Sequence, residues 1–420
     1  MNAFVTVCGD EAIAESEGEL PNGPFRGVPI GIKDLTDTAG IRTTYSCHAF
    51  AEHVPTEDAA VVRKLRAAGF VVLGKTNTCE FGSTAVTESA LNGACRNPWD
   101  TERTPGGSSG GAAAHVAAGV LPLAHGSDGG GSVRIPASCC GLVGLKPTRG
   151  RVSASPQGEG PFPLAQAGPL AASVSDVAAF LDVVCGYEPG DLIRLAPPER
   201  PFAMEAETPP GRLRIAVTVE PPIDYPVDAP CAAAARDAAD LLAELGHDVV
   251  EATPPWREEG LLDRFGFLWR IGPALYGVPP ERLEPLNRML AEAAQATSAL
   301  DYVGAVLALQ RYARRVCAFW HAIDVVLTPT LAKLPVPVGW MFEPDDPREQ
   351  YRRAGAFTPF TAVANVTGQP AVSVPLAFAD GLPVGVQLVG RVAAEATLIR
   401  LAAQLEQARP WAAGRPPVSV

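Results

Sequence analysis

Apolar runs of strand length alternate along the chain with stretches of helical periodicity, and this alternation sets the expected fold. Val28–Ile32 reads as a buried strand. Thr56 is a candidate N-cap for a helix running to Ala68, with Gly69 at its end. Phe70–Leu73 and Val120–Ala124 read as further short strands. Between them, Ser109–Ala118 is Ala-rich and predicts a helix whose small side chains allow close packing. Farther on, Arg212–Val217 and Asp248–Glu251 read as strands flanking an amphipathic helix over Cys231–Leu245. Residues 255–320 are mainly helical in pattern, and Ile323–Leu327 is a strand ending at Thr328-Pro329. Ala371–Leu376 and Val384–Val389 predict a hairpin across Ala379-Asp380-Gly381, followed by a last helix over Ala394–Gln407. Two segments, Arg194–Gly211 and Pro335–Arg353, are rich in Pro and charge and read as surface loops. No internal repeat is visible. Strands alternating with helices imply an α/β protein with a sheet covered on both faces.

Composition narrows the partners. The 420 residues carry a net charge of −12, which argues against a broad nucleic-acid surface. Nine cysteines at irregular spacing, with no CxxC pair, read as reduced thiols of a cytoplasmic protein. Cys139 and Cys140 are adjacent and have no His nearby in sequence, so they read as small buried residues rather than metal ligands. No metal or cofactor is expected. The start, MNAFVTVCGDEA, lacks a basic leader region, and no apolar run reaches membrane-spanning length.

Two short motifs point the wrong way. Gly69–Thr76 (GFVVLGKT) matches the P-loop pattern, yet its middle residues form a strand and a helix precedes it, so it reads as a core strand. Gly106–Gly110 (GGSSG) matches a nucleophile elbow, but Arg103-Thr104-Pro105 is a poor strand end. The later histidines, His247 and His321, have no distinctive setting.

The stretch from Gly106 to Pro147 carries the chemistry. It places Ser108 and Ser132 in separate glycine runs, where backbone approaches a ligand easily. Lys33 lies upstream in VPIGIKD. Two serines and a lysine are the parts of a Ser-Lys hydrolytic set. A serine needs a base, and a lysine becomes one only when burial lowers its pKa. Lys33 follows an apolar segment, which suits burial; adjacent Asp34 points to the opposite face of a strand.

The run Gly106–Pro147, with GVPIGIKDL, GKTNTCEFG, NVTGQPAVSVP and GLPVGVQLVGR in order along the chain, resembles the amidase signature family. The form SDGGGSVRIPASCCGLVGLKP is similar to the branch of cyclic-amide and nylon-oligomer hydrolases. The resemblance implies a mixed central sheet in a single domain over residues 1–420. Its signature core would cover about 20–190 and 360–410, with a variable substrate-shaping region at about 190–360. It also implies a Ser–cis-Ser–Lys triad. Lys33 would be the base, Ser108 the relay in a cis peptide, and Ser132 the nucleophile. Lys33 and Ser108 are 75 residues apart, and Ser132 follows 24 later, as that arrangement requires.

The amides of Gly129, Gly130, Gly131 and Ser132 are the candidate oxyanion hole. Asp128 and Arg134 would brace the loop, Ser109 would support it by hydrogen bonding, and Cys79 and Glu80 would be structural. The expected reaction is hydrolysis of a carboxylic amide, linear or cyclic, through an acyl-enzyme; linear amides are the reference class. The expected partner is a small-molecule amide, not nucleic acid or membrane, and a homodimer stays open. Two other functions are carried: the amidase component of a tRNA-dependent amidotransferase, and an inactive relative lacking the family's N-terminal helices. Phe162, Trp320, Trp340 and Phe342 are candidates for the substrate pocket wall, in segments about 150–200 and 300–360.

Overall fold

A computed structural model describes residues 1–159, 162–411 and 414–420. An eleven-stranded mixed sheet runs through it. Its order from one edge is Phe4–Val7, Val71–Thr76, Pro29–Lys33, Leu123–Asp128, Gln166–Ala171, Val143–Lys146, Ala371–Ala379, Leu382–Gly390, Val325–Pro329, Arg214–Val217 and Asp248–Glu251. Pro29–Lys33 pairs in parallel with Val71–Thr76 and with Leu123–Asp128, whereas Leu123–Asp128 pairs antiparallel with Gln166–Ala171.

Side-chain alternation sorts the strands between two covered faces. Ile30, Ile32, Val72, Val325 and Leu327 join one core with the helices Ala60–Ala67, Val174–Val184, Ala229–Glu244 and Glu395–Ala408. Ala124 and Leu170 pack on the other side with Gly110–Ala117 and Arg134–Cys140. Val326 and Ala216, one residue out of phase with Leu327 and Ile215, meet the helices Leu261–Trp269 and Ala299–Cys317. The α/β architecture expected from the alternation is therefore present.

Several boundaries and two loop assignments need correction. The first long helix begins at Ala60, so Thr56 does not cap it. The strand expected over Phe70–Leu73 runs over Val71–Thr76, and the one expected at Val120 begins at Leu123. Arg194–Gly211 contains the helix Phe202–Ala206, which buries Phe202 and Glu205. Pro335–Arg353 runs into a helix, Pro347–Phe357, with Pro at its first position and the Asp346 side chain accepting from the Arg348 N–H. Cys139 and Cys140 lie fully buried on Arg134–Cys140. The P-loop-like Lys75 ends in a cage of oxygens: its Nζ donates to Thr36 O, Thr38 Oγ1 and Thr43 Oγ1, at 2.6, 3.0 and 2.7 Å. Among the described residues no helix is long and apolar enough to cross a membrane.

Candidate active site

Three neighbouring pieces of the sheet and its loops bring the predicted residues together. The apolar strand Pro29–Lys33 ends on Lys33, whose side chain is fully buried. Its Nζ donates to Ser108 Oγ at 2.8 Å and to Ser127 O and Ser127 Oγ, each at 3.1 Å. Burial pushes the lysine down to about 7, against the upward pull of Cys79 and Asp128. At neutral pH Lys33 is thus divided between its acid and base forms. Asp34 faces away, accepting from the Thr44 N–H and hydroxyl. His125, beside Lys33 on the next strand, is held neutral: burial first, and the Lys33 and Lys75 charges second, lower it to about 3.

Ser108 follows a cis Gly107–Ser108 peptide and lies just before the helix Gly110–Ala117. That helix approaches its neighbours closely: a Cβ on Gly111 would lie 2.3 Å from the Asn77 nitrogen. Ser132 sits in the loop between the strand Leu123–Asp128 and the helix Arg134–Cys140, and is 5% exposed. The Ser109 N–H donates to Ser132 O at 3.2 Å, joining the two serine loops. Ser109 Oγ also donates to Ser127 O at 3.3 Å.

The loop bearing Ser132 is braced from below. Buried Asp128 accepts from Arg134 Nε at 2.9 Å and Nη2 at 2.8 Å, from the Gly131 N–H at 2.8 Å and from the Val133 N–H at 3.2 Å. Burial alone would raise this carboxyl, but the Arg134 guanidinium holds it well below the usual carboxylate range. Arg134 in turn donates to Gln387, Asn365 and the Thr361 carbonyl. Gly131 has φ +134°, and a Cβ there would fall 2.4 Å from Thr361 Oγ1, so only glycine fits.

This geometry corrects one expectation: the Gly131 N–H is spent on Asp128. Among the described residues the N–H groups of Gly129, Gly130 and Ser132 make no hydrogen bond within the chain. The Ser108 and Ser132 hydroxyls are likewise not hydrogen-bonded to each other here. Cys79 and Glu80 are occupied elsewhere, Cys79 with the Thr84 backbone and Glu80 with the Glu284 N–H and Asn287.

Ser132 and Gly130 open into a cavity of about 90 Å³. Its walls include Ile135, Leu261, Phe265, Trp269, Tyr351 and Val363, and among the described residues no charged one lines it. None of the four aromatic residues expected in the wall is there. Trp320 is core, donating its indole N–H to Val389 O, and Phe162 lies under the Arg149 guanidinium. Trp340 packs against Arg353, and Phe342 joins a core cluster. The aromatic wall is Phe265 and Trp269, one turn apart on a helix and stacked with centroids 5.2 Å apart. In sequence these two do not differ in kind from Trp320 and Phe319, so only their placement separates wall from core.

The arrangement offers a buried lysine able to take a proton, a hydroxyl bonded to it, a second hydroxyl facing an uncharged cavity, and free backbone donors beside that hydroxyl. The family model for amidases matches residues 1–399. The 6-aminohexanoate-cyclic-dimer hydrolase of Paenarthrobacter ureafaciens is 40% identical over 433 residues, spanning 96% of this chain and 87% of that protein. A solved 6-aminohexanoate cyclic dimer hydrolase, complexed with substrate, superposes with a TM-score of 0.95 at 38% identity, covering 100% of this chain and 92% of that one. A solved component of the Thermotoga maritima glutamyl-tRNA(Gln) amidotransferase superposes with a TM-score of 0.82 at 32% identity, covering 100% and 91%. The chain belongs to the amidase signature family of hydrolases, which act on amide bonds.

Proposed function

We propose that this chain hydrolyses neutral amides with an apolar body, cyclic amides among them, through an acyl-enzyme on Ser132. The carrying observation is the 2.8 Å Lys33–Ser108 contact, buried beside a second serine that faces an uncharged cavity.

The steps follow from that placement. Ser132 Oγ attacks the amide carbonyl carbon; its proton passes to Ser108, and the Ser108 proton passes to neutral Lys33. The developing oxyanion takes the N–H groups of Gly129, Gly130 and Ser132. The Ser108–Ser132 link is open in the free protein and closes as substrate fills the cavity, in keeping with looser hydrogen bonds in unliganded sites. The C–N bond then breaks as the relay returns a proton to the nitrogen. Water attacks the acyl carbon and gives a proton to the relay; the Ser132–acyl bond breaks, the relay returns that proton to Ser132 Oγ, and the acid leaves. With a cyclic amide the freed amine stays tethered to the acyl group, so only water must enter before a ring-opened amino acid leaves.

The cyclic-amide assignment is supported by the 40% identity to an enzyme that hydrolyses a cyclic dimer. The uncharged wall disfavours glutaminase chemistry, because free glutamine would bury a carboxylate and an ammonium without partners. All nine cysteines are free thiols, which suits a reducing cytoplasm. The test is turnover of a panel of cyclic and linear amides by wild type and Ser132→Ala. Hydrolysis by the wild type alone is expected; equal activity of the variant would overturn the acyl-enzyme.

A further inference from the structure

The free amides beside Ser132 are aimed by contacts made on the far side of their loop. A trans peptide is planar, with its N–H and C=O pointing in opposite directions, so a bond at one end aims the other. Among the described residues the cis peptides are Gly107–Ser108 and Ser155–Pro156, so those from Asp128 to Ser132 are trans. Asp128 O accepts from Asn365 Nδ2 at 2.8 Å, which turns the Gly129 N–H away from Asn365. Gly130 O accepts from Thr361 Oγ1 at 2.6 Å, and the N–H at the other end of that peptide, Gly131, reaches Asp128 Oδ1 at 2.8 Å.

The Gly130–Gly131 peptide is therefore held at both ends. The Gly130 N–H and the Ser132 N–H belong to the peptides on either side of it, so its plane sets where both begin. Three consecutive glycines have no side chains of their own to fix these dihedrals. Thr361 does so from outside the loop. It is fully buried, directly before the helix Ala362–Thr367. The other oxygen within reach of its hydroxyl, Thr358 O, is farther off at 3.3 Å, so the hydroxyl proton goes to Gly130 O. Among the described residues no other group hydrogen-bonds to Gly130 O. The Thr361 carbonyl separately accepts from Arg134 Nη1 at 2.7 Å, a backbone anchor that does not depend on the side chain.

We propose that Thr361 is a positioning residue for the oxyanion hole: its hydroxyl orients the Gly130–Gly131 peptide so that the Gly130 and Ser132 N–H groups converge on the developing oxyanion. This rests on the amidase reading of Ser132. Thr361 does not line the cavity, so it acts through the loop and not on the substrate. Without the hydroxyl, Asp128 still holds the Gly131 N–H, but the Gly130 carbonyl is free to swing and the two donors no longer point at one oxygen. The loss falls on the transition state, where the oxyanion charge develops, and spares binding of the ground-state amide.

Thr361→Ser and Thr361→Ala both lack the threonine methyl group and differ only in the hydroxyl. Each is compared with the wild type by kcat and KM for hexanamide and by calorimetric titration with pentylboronic acid. Ser132 Oγ bonds to the boron as its proton passes to the relay, leaving a tetrahedral boronate with one oxygen where the oxyanion would lie. Thr361→Ala should lower kcat and weaken the boronic acid by about tenfold each, with KM changed by less than about twofold. Thr361→Ser should stay within about threefold of the wild type in all three. A serine variant as impaired as the alanine one, a raised KM with kcat unchanged, undiminished boronic acid affinity in Thr361→Ala, or failure of Thr361→Ala to fold would each overturn the proposal. Failure of the amidase reading looks different: the wild type itself then leaves pentylboronic acid unbound, or Ser132→Ala binds it equally well.

Discussion

Lys33 Nζ donates to Ser108 Oγ across 2.8 Å, with the lysine fully buried and the serine 1% exposed. Strand and loop thus meet directly, amine against hydroxyl. The same burial that removes the lysine from solvent makes it a base near neutrality.

Activity should therefore rise with pH. Lys33 must be neutral to accept a proton, and its value is about 7. The kcat/KM profile should climb through that pH and flatten above it. Stability should change in the same direction, because a lysine lowered on folding binds fewer protons than in the unfolded chain. Its contribution rises from about pH 7 toward the unfolded lysine value near 10. Lys33→Met should lose the activity limb and make that part of the stability curve less steep, with burial of Lys146, lowered to about 7, and of Lys75, lowered to about 8, still contributing to the rise. A wild-type kcat/KM unchanged from pH 6 to 9 would contradict this.

The Asp128–Arg134 pair should be costly to break. Both side chains are 0% exposed and bonded to the Ser132 loop and to Gln387 and Asn365. Removing one partner leaves an uncompensated buried charge, at about 3–5 kcal/mol. Asp128→Asn and Arg134→Met should lower denaturant midpoints accordingly and lose most activity. Midpoints within error of the wild type would refute the bracing role.

Gly131→Ala should fold poorly or lose activity. Its φ and the 2.4 Å approach to Thr361 leave no room for a methyl group. Gly129→Ala meets only ordinary contact, 3.4 Å from Trp269, so it should fold and mainly alter substrate affinity. Comparing Tm and KM for the two separates backbone need from cavity shape.

Charge should be excluded from the substrate. With no charged residue in the wall among the described residues, glutamine should be hydrolysed at least about a hundredfold less efficiently than a neutral amide of similar size, since an unpaired buried charge costs several kcal/mol. Comparable kcat/KM for the two would return the amidotransferase reading to favour.

The sequence carried the chemistry better than the pocket. The apolar run before Lys33 is a strand, and the glycine-flanked serines lie in the loops that the strand faces. The helix Pro347–Phe357 escaped because Pro and charge suggested a loop, although Asp346-Pro347 is a recognisable helix start. The wall aromatics escaped for a different reason. Trp269 and Trp320 both lie in helical stretches, and only the long-range packing sends one to the cavity and the other under Val389. The linear pattern makes Gly131 as good a candidate oxyanion donor as its neighbours, because nothing in it reveals that the Asp128 carboxylate turns back to take the Gly131 N–H.

The most direct test of Ser132 as the nucleophile is covalent. The protein is incubated with a fluorophosphonate probe, digested, and the modified peptide located by mass spectrometry. The label should fall on Ser132, be absent from Ser132→Ala, and form more slowly below pH 7 as Lys33 becomes protonated. A label on Ser108, or undiminished labelling of Ser132→Ala, would contradict it.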